Sequence, residues 1–283
     1  MSKKYELTDE TKEIGGITLH RIRALRDIPR YGVKSGDLGG WIEAESNLSQ
    51  DGDAWVSGDA WARGNASVDG NASVSGNANI SGNAWINGNA NISGNAWVCD
   101  NALVCGNAMV CGKASVCGDA CVYCKAVVYG KAWVSDNAWV SDNAWVYGDA
   151  RVYGDAKVFG KAMVNGNAEV NDNAEICGNA WVCDNAMVSD NVVVNGNAEV
   201  SGNAEVKSIR DYAVFKNGWS SGRWFTYTRS NRMWRVGCFH GTGEELIAKA
   251  YKDSELSGKC YEAIVRAQEA IDRAIDEKEG DTK

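Results

Sequence analysis

The sequence predicts an all-β solenoid of about nine triangular coils, closed by an N-terminal cap and followed by a small β-plus-helix module. Three observations carry this prediction. From Asp53 to Ser208 the chain divides into 26 consecutive hexapeptides without an insertion or deletion. The unit reads (Asn/Asp/Lys)-Ala-x-Val-x-Gly, with Ala in the second slot of 25 copies, Val or Ile in the fourth slot of 25 and Gly in the sixth slot of 18. The 283 residues include 32 Gly but a single Pro, Pro29, so ordinary loops are scarce and one continuous regular element dominates.

Each unit holds a short strand, Ala-x-Val-x, whose period of two sends Ala and Val inward and both x residues outward. Gly followed by Asn, Asp or Lys then turns the corner, because Gly adopts positive φ without steric cost and Asn or Asp tolerates it better than most. A corner every six residues beside a small Ala suits a narrow prism with three units per coil. At about 4.8 Å per layer such a column is about 40 Å long, with stacked Val and Ala rows as its core.

These hexapeptides, as in NASVSG, NANISG and NAEVSG, resemble the hexapeptide-repeat, left-handed parallel β-helix family, whose members include acyltransferases and γ-class carbonic anhydrases. The resemblance covers about half the chain and implies a left-handed parallel β-helix; trimers are common in that family. DLGGWIEAESNLSQDG ahead of the repeat and WRVGCFHGTGEELIAKAYKDS behind it resemble segments of uncharacterised hexapeptide-repeat proteins of bacteriophages and prophages, which implies a phage or prophage origin and brings no mechanism.

Residues 1–52 form the expected cap, since a bare terminal coil exposes a strand edge and an open core. KYEL and GITLHRIRAL read as strands around a DETKEIGG turn, and Leu48 falls in the Ala slot of a half-formed first coil. Residues 53–208 are the column. Residues 209–243 read as a β-meander, GRWFTYTR, turn SNR, MWRVGCF. Residues 244–283 read as two short helices and a frayed tail; Thr242 and Glu245 form a capping box that starts the first helix. Ser257-Gly258 is expected to end it. A second helix from about Lys259 to Glu277 places Tyr261, Ile264, Val265, Gln268, Ile271 and Ile275 on one face, and EGDTK is expected to fray.

Function is less constrained. No apolar run suits a signal peptide or a membrane span, so a cytoplasmic protein of a bacterial host cell is expected. Ten Cys without an export signal then imply free thiols, although Cys99 and Cys117, 18 apart, come within disulfide range on adjacent coils. The formal charge of −8 argues against an electrostatic grip on nucleic acid. An acyltransferase needs a His base, yet the two histidines, His20 and His240, both lie outside the repeats, which leaves His240 as the catalytic candidate if a site forms between subunits. The three-His zinc site of the γ-class anhydrases is excluded by count. No cofactor or metal is implied.

Two residue sets suggest binding. Outward third slots hold Trp55, Trp61, Trp85, Trp97, Trp133, Trp139, Trp145 and Trp181; three of these, Trp133, Trp139 and Trp145, lie in consecutive units and put one Trp on each face of a single coil. With Trp97 and the stacked pair Tyr129 and Tyr147 they are the expected interface for a homo-oligomer, a trimer by the family resemblance, or for a host protein. The second set is the basic and aromatic meander, with six Lys+Arg against one Asp over residues 209–243. Lys216, Arg223, Trp224, Tyr227, Arg229, Arg232, Trp234 and Arg235 have the composition that holds a small anionic nucleotide, and Gly241-Thr242-Gly243 adds helix N-terminal amides. The reading favoured is a non-catalytic scaffold; a nucleotide sponge and an inter-subunit acyltransferase are the alternatives.

Overall fold

A computed structural model describes residues 3–280. Three strands, β1 (Tyr5–Ile14), β2 (Ile17–Ala24) and β3 (Leu38–Ile42), precede 26 two-residue strands, β4 to β29, that run from Trp55–Val56 to Glu205–Val206. Between the end coils every repeat strand pairs in parallel with the strands 18 residues before and after it, which builds three sheets around a triangular core. Repeat and fold therefore match unit for unit. The second-slot and fourth-slot side chains are buried from Ala54 to Val206 as one continuous cluster. Each corner residue from Gly58 to Gly202, including six Asp and Cys124, has positive φ. The Asp corners do more than tolerate it: the Asp100 carboxylate accepts the Gly118 N–H at 3.1 Å, and Asp136 and Asp142 do the same one coil below Gly154 and Gly160.

The bonds between coils are unequal in the two directions. Three N–H groups of each repeat donate to carbonyls of the following coil, as from Trp133 to Ala150, against the one that the strand ladder returns. The first coil is thus left mainly with acceptors and the last mainly with donors, and both caps answer that need. At the N-terminal end Lys4 Nζ donates to the Ala54 carbonyl at 2.8 Å, Asn47 Nδ2 to those of Gly64 and Ala66, and the Trp41 and Glu43 amides to those of Ala60 and Ala62. At the other end the Thr226 hydroxyl accepts from the Glu199 N–H at 2.8 Å, the Ser230 hydroxyl from Glu205, and the Asp211 carboxylate from Lys207.

The caps depart from the sequence reading in four places. DETKEI continues β1 and only Gly15-Gly16 turns, since the antiparallel partner β2 extends to Ile17 and rescues the polar stretch. Leu48 bridges Val68 and so takes the Val slot, not the Ala slot. Two additional residues, Gln50 and Asp51, shift the register, and the Gln50 amide is used to hold Lys4 N–H. Trp55 and Trp61 point outward but lie buried under the cap. In the C-terminal module the helix break falls at Ser254, between α1 (Gly243–Asp253) and α2 (Glu255–Gly280); Ser254 has extended backbone and its hydroxyl accepts from the Ser257 N–H, so Ser257 and Gly258 already belong to α2.

The module is a four-stranded antiparallel meander, β30 (Tyr212–Lys216), β31 (Trp224–Thr228), β32 (Met233–Val236) and β33 (Phe239–Gly241), packed on α1 and α2. The buried row of α2 is Tyr261, Val265, Gln268 and Asp272, while Ile271 is exposed. Asp272 replaces Ile271 because Tyr227 Oη and Gln268 Nε2 both donate to its carboxylate. Asp281–Lys283, part of the segment expected to fray, lie outside the described residues. No helix among the described residues is long and apolar enough to cross a membrane.

Candidate binding surfaces

The three faces of the column differ in their outward residues. Trp133 belongs to the twelve-stranded sheet, Trp139 to the eight-stranded sheet and Trp145 to the nine-stranded sheet, so the expected ring around one coil exists. The three are between 44% and 50% exposed, far more than a Trp needs to be if it only fills a pleat. Trp85 and Trp181 place their indole N–H on Asp69 and Asn165, whereas those of Trp97, Trp133, Trp139 and Trp145 have no acceptor among the described residues.

The nine-stranded face is the most apolar. Its third slot reads Met109, Val127, Trp145, Met163, Trp181 over five successive rungs. Beside that stripe the Tyr129 and Tyr147 rings stack at 4.9 Å with an interplanar angle of 5°, and Trp145 meets Tyr129 edge-on. Met109 and Trp145 are the exposed members. On the other two faces the stripe is broken by charge: Arg151 and Glu169 pair at 3.2 Å above Trp133, and Lys157 and Glu175 at 3.0 Å above Trp139. A 310 Å³ cleft does open beside Trp133, lined by Ser135, Asp136, Arg151 and Tyr153. Of these, Trp133 is one of the expected interface residues, and Tyr153 is a further outward aromatic near its level.

The eight meander residues expected to hold an anion do not converge. Tyr227 and Trp234 are core residues at 5% and 2% exposure. Arg235 Nε donates to Glu199 at 2.6 Å, tying the meander to the last coil, and Arg229 pairs with Asp276. Arg232 opens onto clefts where Glu205, Asp211, Glu269, Asp272 and Asp276 face Lys207, Arg229 and Arg273, so its surroundings offer no excess of positive charge for an anion. Lys216 lies 5.5 Å over the Trp224 ring, its cross-strand neighbour. Arg223 borders a cleft with Trp224 and Trp181, distinct from the clefts that Arg229 and Arg232 line. The Gly241-Thr242-Gly243 amides are also claimed internally: Glu245 Oε2 accepts from the Thr242 N–H at 2.8 Å, and an added Cβ on Gly241 would meet that same oxygen.

No protein-family model matches the chain, and no curated protein resembles it in sequence closely enough to be a relative.

His240 lies on β33, exposed, with its ring over the corner at Gly202 and beside the Glu199 and Arg235 pair. Burial raises the Glu199 carboxyl above the usual carboxylate range, and Arg235 opposes the shift. Cys183, buried beneath the same contact, is pushed up to about 12, chiefly by burial and then by Asp184, which makes it an inert thiol. The expectation of ten free thiols fails at one place. Cys99 and Cys117 are joined, with Cα atoms 4.8 Å apart, because they are the one pair of cysteines that share a slot on adjacent rungs. Their sulfurs and the Asp100 carboxylate form the only Cys/His/Asp/Glu group among the described residues compact enough for a metal ion, and the bond between the sulfurs removes two of its three ligands.

Proposed function

We propose that the protein is a non-catalytic binding scaffold, a rigid column that self-associates through its nine-stranded face and presents its other faces to a host protein. The observation that carries this reading is the unbroken stripe from Met109 to Trp181 with the Tyr129 and Tyr147 stack beside it. Aromatic and Met side chains in a flat, contiguous, charge-free patch are what interface cores are made of. No loop interrupts the 26 hexapeptide units, so two copies can approach along the middle of a face, between the caps. The three-sided column and the family resemblance favour a trimer. A phage or prophage origin, which the flanking segments suggest, fits a host protein as the second partner.

Native mass spectrometry tests the reading. Wild-type protein is expected as a closed oligomer, with Trp145→Glu reduced to monomer and Trp85→Glu, on another face, unchanged. A monomeric wild type, or an oligomer that survives Trp145→Glu, overturns self-association through this face.

A further inference from the structure

A further cavity lies elsewhere, on the seam between the meander and the two helices. It measures 430 Å³, within the range of small-molecule sites. Its floor is apolar: Val236, Phe239, Leu246 and Ala250. Two cations border it, Arg223 from the β30–β31 turn and Lys249 from α1, and neither forms an ion pair among the described residues. Lys249 Nζ is instead held 5.3 Å over the Phe239 ring at the cavity wall. Asp253 is the one carboxylate in the lining, so the opening carries a net positive charge. Ser257 adds a hydroxyl from α2; the residue is 8% exposed, and its Oγ has no hydrogen-bond partner among the described residues.

Unpaired cations beside an apolar floor and a hydroxyl without a protein partner are a set of groups the fold itself leaves largely unused. Neighbouring polar groups show the contrast. Asn217 donates to Ser220 and to Tyr261 Oη, and Ser254 receives the Ser257 N–H, so both are spent on structure. We propose that the seam cavity binds a small organic anion, a carboxylate or phosphate monoester with a compact apolar body. Arg223 and Lys249 hold the charged end, Ser257 donates a hydrogen bond, and the body rests on Val236, Phe239 and Leu246. This site goes beyond self-association and does not depend on it. It also differs from the anion site expected on the meander, sharing Arg223 alone with it.

Cys238, an exposed free thiol in the cavity lining, provides a direct readout. Full-length protein is alkylated with iodoacetamide in the presence of phenyl phosphate, benzoate or neutral benzyl alcohol. Exposed Cys124, on a corner of the column, serves as the internal reference. Phenyl phosphate or benzoate is expected to slow Cys238 saturably without changing Cys124, and whichever acts at lower concentration identifies the preferred head group. Arg223→Gln and Lys249→Gln, both at exposed positions, are expected to keep the wild-type melting temperature and to weaken protection by about tenfold each, the usual consequence of losing a charge-assisted hydrogen bond. Calorimetric titration of phenyl phosphate into the same proteins should give the same ratio. The proposal is overturned if neither anion protects Cys238, if benzyl alcohol protects equally, or if protection survives in the double variant.

Discussion

The Lys4 ammonium is fully buried 2.8 Å from the Ala54 carbonyl, at the bottom of a column whose first coil presents mainly acceptors. A parallel solenoid cannot cap both ends with the same chemistry. Here Lys4 and Asn47 supply donors at one end, and Thr226, Ser230 and Asp211 supply acceptors at the other. Swapping the caps would leave both ends unsatisfied.

Burying that amine lowers its pKa from 10.5 to about 8, chiefly by desolvation and further by the Arg26 charge. Between those two values the unfolded chain holds a proton that the fold does not, so stability rises with pH across the window. The unfolding free energy of wild type relative to Lys4→Met is therefore expected to climb from pH 8 to pH 10. A flat difference would mean that Lys4 keeps its proton in the fold.

Corner chemistry gives a second test. Gly112 has φ +74, and an added Cβ would lie 2.9 Å from the Gly130 carbonyl oxygen. Asp nevertheless occupies six such corners, where its carboxylate can accept the N–H one coil above, as at Asp100. Gly112→Asp is expected to unfold within about 1 kcal/mol of wild type, while Gly112→Val, with a β-branched side chain and no acceptor, loses about 1–3 kcal/mol. Equal losses in urea melts would show that the carboxylate bond contributes nothing.

The column was legible because every slot repeats its physics 26 times. A single Val192 or Ala62 cannot obscure a period that strict. The caps were not, because each of their decisive contacts occurs once and is long-range. Leu48 changes slot through the insertion of Gln50 and Asp51, which local pattern cannot reveal. Asp272 is buried because Tyr227, 45 residues away, donates to it. The candidate sites divide in the same way. The Trp ring follows from the period, whereas composition alone grouped Tyr227, Trp234 and Arg235 with Arg223, and packing sends the first three to the core and to Glu199. Lys249 and Ser257 carried no signal of a site at all until α1 and α2 closed over the meander.

Thiol counting checks the Cys99–Cys117 link. Protein denatured without reductant is expected to show 8 free thiols of its 10 cysteines, and all 10 after reduction. The 18-residue loop that the bond closes is worth about 3 kcal/mol in the chain-entropy account, so reductant should lower the melting temperature of wild type but not of Cys99→Ser. Ten thiols before reduction would refute the link.

Arg235 and Glu199 join the meander to the last coil, with side chains 23% and 17% exposed. Burial raises the Glu199 carboxyl, and Arg235 is the main group holding it down. Arg235→Gln leaves that carboxylate partly buried and uncompensated, a loss of about 1–3 kcal/mol at neutral pH. With its folded pKa raised further, Glu199 takes up a proton in the fold before it does in the unfolded chain, so the variant regains stability as pH falls toward 4.5, the ordinary Glu value. The deficit relative to wild type should be largest at pH 7 and shrink toward pH 5. Adding Glu199→Gln should recover most of it, since the pair is then replaced by two neutral amides. A deficit that is independent of pH, or that persists in the double variant, would mean that Arg235 stabilises the module by packing and not by its charge.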